Sequence, residues 1–188
     1  MSILLRPEHF CGEPGLYTIA AASAVVTAIE KMTKETTEIK WVNDVLLNGK
    51  KVSGILTESV FPENTANPDF IVVGIGINVN TLTFPSELEN IVTSMRLEYD
   101  GDRIFDLNVT AVRVINAFLE YVKYIEERSF LSLYRDRLNC IGKSIYKVGE
   151  EDKLYTVNDI NENGNLLVTD SFGKEEIIST GEISIKLA

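Results

Sequence analysis

The sequence predicts an α+β domain over residues 1–138 followed by a compact all-β module over residues 139–188. Two observations carry this division. Helical and strand-like hydrophobic periods interleave as far as Leu138, and after Gly142 the helical period disappears. Turn signals then recur at 149–152, 161–165 and 171–174, a spacing that suggests a small barrel of short strands. The two parts do not differ in sign of charge. Residues 139–188 hold five basic and nine acidic groups, against thirteen and nineteen before them.

Taken in order, Ser2 to Arg6 is a short apolar run ended by Pro7 and reads as a strand. From Leu16 to Lys31 apolar positions recur at helical spacing. Five alanines (Ala20, Ala21, Ala22, Ala24, Ala28) give this helix a small-residue face able to lie close on a sheet. Strands are expected at Ile39–Trp41, Val45–Leu47 and Lys51–Ser59. Asn48-Gly49 makes a hairpin of the last two, because a type I′ turn needs positive φ at both central residues. Residues 62–69 form a turn-rich loop, and Phe70 to Asn80 is a strand by composition. Asp106 is placed to cap a helix with apolar positions Val112, Ile115, Phe118, Leu119, Val122 and Ile125. A shorter helix carries Phe130, Tyr134 and Leu138.

Composition removes several classes. The 188 residues carry 18 Lys+Arg against 28 Asp+Glu, a net charge of −10, which disfavours partners held through phosphates, nucleic acid and anionic membrane alike. A hydrophobic share of 45% is enough for a packed core. Cys11 and Cys140 match no metal-binding or redox spacing, and a reducing, cytoplasmic compartment is expected. No apolar run is long enough for a membrane span or signal peptide.

The strand at 70–80 is the most informative segment. Ile71, Val73, Ile75, Ile77 and Val79 share one face; Val72, Gly74, Gly76, Asn78 and Asn80 share the other. Two glycines at i and i+2 bare a strip of backbone. Either a flat ring lies on that strip, or the Ala-rich helix packs closely against it. The pair is no dinucleotide fingerprint, because position 79 is Val and more strand follows. Lys40 alternates away from Ile39 and Trp41. It is either a snorkelling surface lysine or a point charge for a phosphate or carboxylate. Asn43 and Asp44 follow at a turn, as Asx caps or as site residues. His9 has no evident acid or thiol partner, Glu58 reads as a sheet-edge charge, and Lys50-Lys51 as a solvated pair.

Together, Lys40-Trp41-Val42-Asn43-Asp44, Asn48 through Glu58, and Val73-Gly74-Ile75-Gly76-Ile77-Asn78-Val79-Asn80 resemble the biotin protein ligases. The tail Gly181-Glu182-Ile183-Ser184-Ile185 resembles the end of that family's C-terminal SH3-like barrel. The resemblance implies a mixed sheet packed by helices, of the class II synthetase-like kind, then that barrel. It implies activation of biotin with MgATP to biotinyl-5′-AMP and transfer to a lysine of a biotin carboxyl carrier protein. In the implied roles, Lys40 pairs with the biotin carboxylate and the adenylate phosphate, and Gly54, Gly74 and Gly76 lie against biotin. Asn43, Asp44 and Asn78 serve the nucleotide. No metal ligand is implied beyond the Mg²⁺ that travels with ATP. A lipoate ligase relative fits the wording of these motifs less well, and the DNA-binding role of some family members, which needs an N-terminal helix-turn-helix, is not expected.

The same resemblance leaves a gap. The family's N-terminal Ser/Thr pair for the ureido group and its Gly-Arg-Gly-Arg-x-x-Gly-Arg-type loop have no counterpart, for the arginines stand at 6, 96, 103, 113, 128, 135 and 137. The expectation is a catalytic domain lacking its N-terminal part, with Met1 an internal methionine. Losing one preorganised donor costs about 10²–10³ in rate. This chain alone is therefore expected to be nearly inactive in adenylate formation; pyrophosphate release at the rate of a complete ligase would contradict that. The alternative reading is an inactive ligase-like binding or dimerisation module, pairing through a sheet edge.

Overall fold

The computed structural model describes residues 1–6, 13–63, 68–99, 103–179 and 185–187. His9, Cys11 and Gly181–Ser184 lie outside them. The first sheet contains β1 (Ser2–Leu5), β2 (Thr37–Lys40), β3 (Asp44–Leu47), β4 (Lys50–Val60) and β5 (Phe70–Ile77), in the order β1-β5-β4-β3-β2. Every named pair in it is antiparallel, which corrects the expected mixed sheet. The reason is connectivity. From β2 to β5 each strand follows its neighbour through a reversal of direction. The one helical crossover, α1 (Gly15–Thr33), joins β1 to β2 at opposite edges of the sheet, so it creates no parallel neighbours. The β3–β4 turn has φ +50° at Asn48 and +78° at Gly49, as the hairpin signal requires.

One face of this sheet is buried by α1. Ala20, Ala21, Ala22, Ala24 and Ala28 are all buried, as are Ile71, Val73 and Ile75 of β5 and Ile39, Val45, Val52 and Ile55 of the other strands. Ser23 bonds within the helix to the Ile19 carbonyl, so its hydroxyl costs little in the core. After the single turn α2 (Met95–Glu98), α3 (Leu107–Lys123) packs on α1 and begins at the expected cap, where the Asp106 carboxylate accepts from the Asn108 and Val109 N–H groups. Its inner ridge is Thr110, Val114 and Phe118, at intervals of four. Val112 and Leu119, expected inward, stand 54% and 44% exposed because they project away from that ridge. α4 (Phe130–Arg137) buries Phe130 and Tyr134.

The C-terminal module is a second antiparallel sheet of β6 (Ser144–Lys147), β7 (Glu150–Ile160), β8 (Leu166–Asp170), β9 (Glu175–Ile178) and β10 (Ile185–Leu187). Its order is β10-β6-β7-β8-β9. Bulges at Tyr146/Lys147 and Val157/Asp159 bend it, but among the described residues β9 and β10 do not pair, so the sheet is not closed. Turn spacing reports hairpins, and closure is a property of edges that it does not reach. Among the described residues no helix is long and apolar enough to cross a membrane.

One ion pair ties three elements of the first domain. Arg137 donates to both Glu30 carboxylate oxygens at 2.8 and 3.1 Å, and the Thr37 N–H and hydroxyl both donate to Oε1 at 2.9 Å. Burial raises the Glu30 pKa, but the bonds from Arg137 and Thr37 outweigh it and hold the carboxyl below its ordinary value. A lowered folded-state pKa stabilises at pH above the unfolded value and is lost as pH falls through the folded one. Arg137→Ala is therefore expected to cost about 1–3 kcal/mol near neutrality. Urea melts should show the difference from wild type shrinking below the ordinary carboxylate range.

Candidate functional site

The open face of the first sheet carries one continuous row of the residues singled out from the sequence. Gly76 of β5 pairs with Gly54 of β4, Gly54 with Asp44 of β3, and Asp44 with Lys40 of β2. Directly opposed residues share a face, so these four positions present to one side, across about 14 Å by strand spacing. Gly74 stands in a neighbouring row, between Ser2 and Leu56. Leu4 and Leu56, 57% and 63% exposed, give this end of the face an apolar floor. The other end is ionic.

The alternation in β5 settles what the glycine strip faces. Ile71, Val73 and Ile75 meet the core, so Gly74 and Gly76 lie on the side away from α1, and the packing alternative does not hold. Neither glycine is needed by the fold. A Cβ at Gly74 would come no closer than 3.5 Å to its nearest neighbour, the Leu56 carbonyl. One at Gly76 would lie 3.9 Å from the Gly54 carbonyl. These are ordinary contacts, and neither residue has positive φ.

Lys40 ends β2. Its side chain is exposed, and among the described residues no ion pair holds it. The loop that follows is tightly held. The Trp41 indole N–H donates to the Gly164 carbonyl at 3.1 Å, and the Tyr134 hydroxyl donates to the Val42 carbonyl at 2.8 Å. Burial pushes the Tyr134 phenol well above its ordinary pKa, so it remains a neutral donor. Asn43 brackets one residue of β4: its amide donates to the Ile55 carbonyl at 2.7 Å, and its own carbonyl accepts from the Ile55 N–H.

Asn78 stands just past β5 in a similar role. Its amide donates to the Thr93 carbonyl at 3.0 Å, its N–H to the Val52 carbonyl, and its carbonyl accepts from Met95. The structure thus gathers Lys40, Asp44, Gly54 and Gly76 in one row with Gly74 beside it. Asn43 and Asn78 are engaged as backbone clamps at its margins.

Lys51, expected from the sequence as half of a solvated pair with Lys50, instead meets a carboxylate of the row. Its ammonium pairs with Asp44 at 2.5 Å and lies over Gly54. Counted back from Gly54 by strict alternation, Lys51 falls on the core face and Val52 on the open one. A bulge opposite Val45/Leu46 inserts a residue, pairs Leu46 with Lys51, and reverses the two: Val52 is buried and Lys51 reaches the row. A Cβ at Gly54 would lie 3.0 Å from the Lys51 Cε and Nζ atoms. Because only the flexible end of a half-exposed lysine must move, Gly54→Ala is expected to cost under about 1 kcal/mol by thermal melting. It should nevertheless displace the ammonium from Asp44.

Other chemistry lies elsewhere or is inert. Burial pushes the Cys140 thiol up to about 11, leaving it protonated at neutral pH. Two cavities of about 420 and 440 Å³, one beside Lys31, Lys34 and Arg103, the other on β7–β9, include none of the row's residues. Among the described residues the row is an open sheet face.

Residues 2–78 match the biotin/lipoate A/B protein ligase family. Over 106 residues the chain is 43% identical to the bifunctional ligase/repressor BirA of Bacillus spizizenii, covering 55% of this chain and 32% of the relative. It is 29% identical over 176 residues to the biotin–[acetyl-CoA-carboxylase] ligase of Mycobacterium tuberculosis, covering 90% of this chain and 62% of that protein. The matches thus span less than two thirds of these relatives' lengths. Among solved structures, the apo biotin protein ligase of Aquifex aeolicus superposes with TM-score 0.81 at 27% identity, covering all of this chain and 81% of that one. The same enzyme in complex with biotin and ATP gives 0.79 at 26%, covering all of this chain and 77% of that one. By its matched residues and by its fold, the chain is similar to the biotin protein ligases, and residues 2–78 match the biotin/lipoate A/B protein ligase family.

Proposed function

We propose that this chain carries the ligand-binding sheet of a biotin protein ligase, which activates biotin with MgATP and passes the biotinyl group to a lysine of a biotin carboxyl carrier protein, with little adenylate formation by this chain alone. The observation that carries this reading is the glycine strip. Gly54, Gly74 and Gly76 bare the sheet at its open face, Gly74 and Gly76 without any demand from the fold, and the row runs on to Lys40, which no ion pair holds among the described residues. The apolar, flat end suits the biotin ring system, and the ionic end suits its carboxylate and the adenylate.

In the first step a biotin carboxylate oxygen attacks the α-phosphorus of ATP, forming the acyl–phosphate anhydride and releasing pyrophosphate. Two anions must approach, so cationic charge fixed where negative charge builds up lowers the barrier. Lys40 supplies that charge. Lys51 holds Asp44 and thereby the polar end of the row, while Asn43 and Asn78 keep the flanking backbone in place for the nucleotide. In the second step the carrier lysine amine attacks the acyl carbon and AMP leaves with the anhydride oxygen. Mg²⁺ enters as part of the ATP substrate. The C-terminal sheet is the counterpart of the family's SH3-like barrel, and the reaction is assigned to the cytoplasm with no nucleic-acid partner. A homodimer through the β1 edge is a further element of this reading, supported by exposed Leu4 beside that edge.

Calorimetric titration of synthetic biotinyl-5′-AMP into the chain tests the reading without requiring turnover. Saturable one-to-one binding competed by biotin is expected. No binding heat at millimolar ligand would overturn it.

A further inference from the structure

We propose that the β7–β8 turn of the C-terminal module, residues 161–165, is a positioning element for the Lys40 loop and acts through the indole of Trp41. This deepens the preceding reading and rests on Lys40 being the site lysine. Lys40, the last residue of β2, stands in the open row opposite Asp44, while Trp41, the first residue past the strand, is buried. The indole N–H reaches across 123 residues of sequence to one acceptor, the Gly164 carbonyl at 3.1 Å, inside the protein. A buried donor left without its acceptor is costly, so the indole can keep this position only while the turn presents that carbonyl.

The turn is built to hold it there. The Asn161 side chain accepts from the Asn163 and Asn165 N–H groups at 2.9 and 3.0 Å. The Asn161 N–H donates to the Asn165 carbonyl, and the Gly164 N–H to the Asn161 carbonyl, both at 2.9 Å. Gly164 has φ +75°, and a Cβ there would lie 2.0 Å from Cδ1 of buried Ile19 on α1. Only glycine fits, and it seats the turn against the N-terminal part of α1 while its carbonyl meets Trp41. The second module thereby fixes where β2 ends and where Lys40 is aimed. A misplacement of about 1 Å at such a point can cost about 10²-fold.

Trp41 is the single tryptophan of the chain, so its emission reports this contact directly. The experiment compares wild type, Asn161→Ala, and Ile145→Val in the core of β6, measuring melting temperature, emission maximum and affinity for biotinyl-5′-AMP. Asn161→Ala is expected to shift Trp41 emission to longer wavelength and weaken binding by about tenfold or more. Ile145→Val should lower the melting temperature while leaving emission and affinity at wild-type values. Wild-type emission and affinity in Asn161→Ala would overturn the proposal. So would an equal loss of affinity in Ile145→Val, because the effect would then follow stability. Failure of the wild type itself to bind overturns the functional reading on which the proposal rests, and that arm separates the two failures.

Discussion

Lys40→Ala is expected to weaken binding of biotinyl-5′-AMP by about 10²–10³-fold, the usual consequence of removing one preorganised charge from such a site. The fold should hardly register the change. The Lys40 side chain is exposed and unpaired among the described residues, and such surface substitutions stay within about 0.5 kcal/mol. This separation of binding from stability makes the variant informative. Lys51 is already committed to Asp44, so it is not free to replace the lost ammonium. Lys40→Arg is expected to recover only part of the affinity, because a planar guanidinium does not present charge as a compact ammonium does. Titration calorimetry paired with thermal melting checks both statements, and undiminished affinity in Lys40→Ala would remove the lysine from the site.

Much of the fold was legible because local chemistry dictates it. Asn48-Gly49 adopts the positive φ values its turn requires, and Asp106 caps α3 through two backbone amides. The alternation of Ile71, Val73 and Ile75 correctly assigns the buried face of β5. What escaped were features set by distant partners. The bulge that brings Lys51 to the row depends on the register between β3 and β4, which no single strand reveals. Val112 and Leu119 fit a helical period, yet α1 selects the ridge of Thr110, Val114 and Phe118 instead. The bond from Trp41 to Gly164 spans two modules, so neither motif announces the other. Among the described residues the second sheet is not closed, a property of its edges that turn spacing does not report.

The site was legible in a similar measure. Lys40, Asp44, Gly54 and Gly76 were each proposed for their types or their motif, and the strand register aligns them across four strands. Asn43 and Asn78, assigned to the nucleotide by the resemblance, hold backbone carbonyls through their amides at 2.7 and 3.0 Å at the margins of the row. An asparagine after a strand reads the same from sequence whether it binds a ligand or a neighbouring chain segment.

The central claim is that the bare strip exists for a ligand, and Gly76→Val tests it because its two expected effects have opposite signs. In a strand interior, replacing glycine by a β-branched residue improves strand propensity and removes unfolded-state entropy. A Cβ at this position meets nothing nearer than 3.9 Å, so the fold should gain up to about 1 kcal/mol. The same isopropyl group stands on the open face beside Gly54, where a ring lying flat on the strand must come within contact of the backbone. Biotin affinity should fall by at least about 10²-fold, the effect of misplacing a bound group by about 1 Å. The decisive measurement is therefore a side-by-side calorimetric titration of biotin into wild type and Gly76→Val, each with its melting curve. Binding to wild type, with none detectable in a Gly76→Val protein that melts at or above the wild-type temperature, is the predicted result; equal biotin affinity in the two proteins would contradict the account.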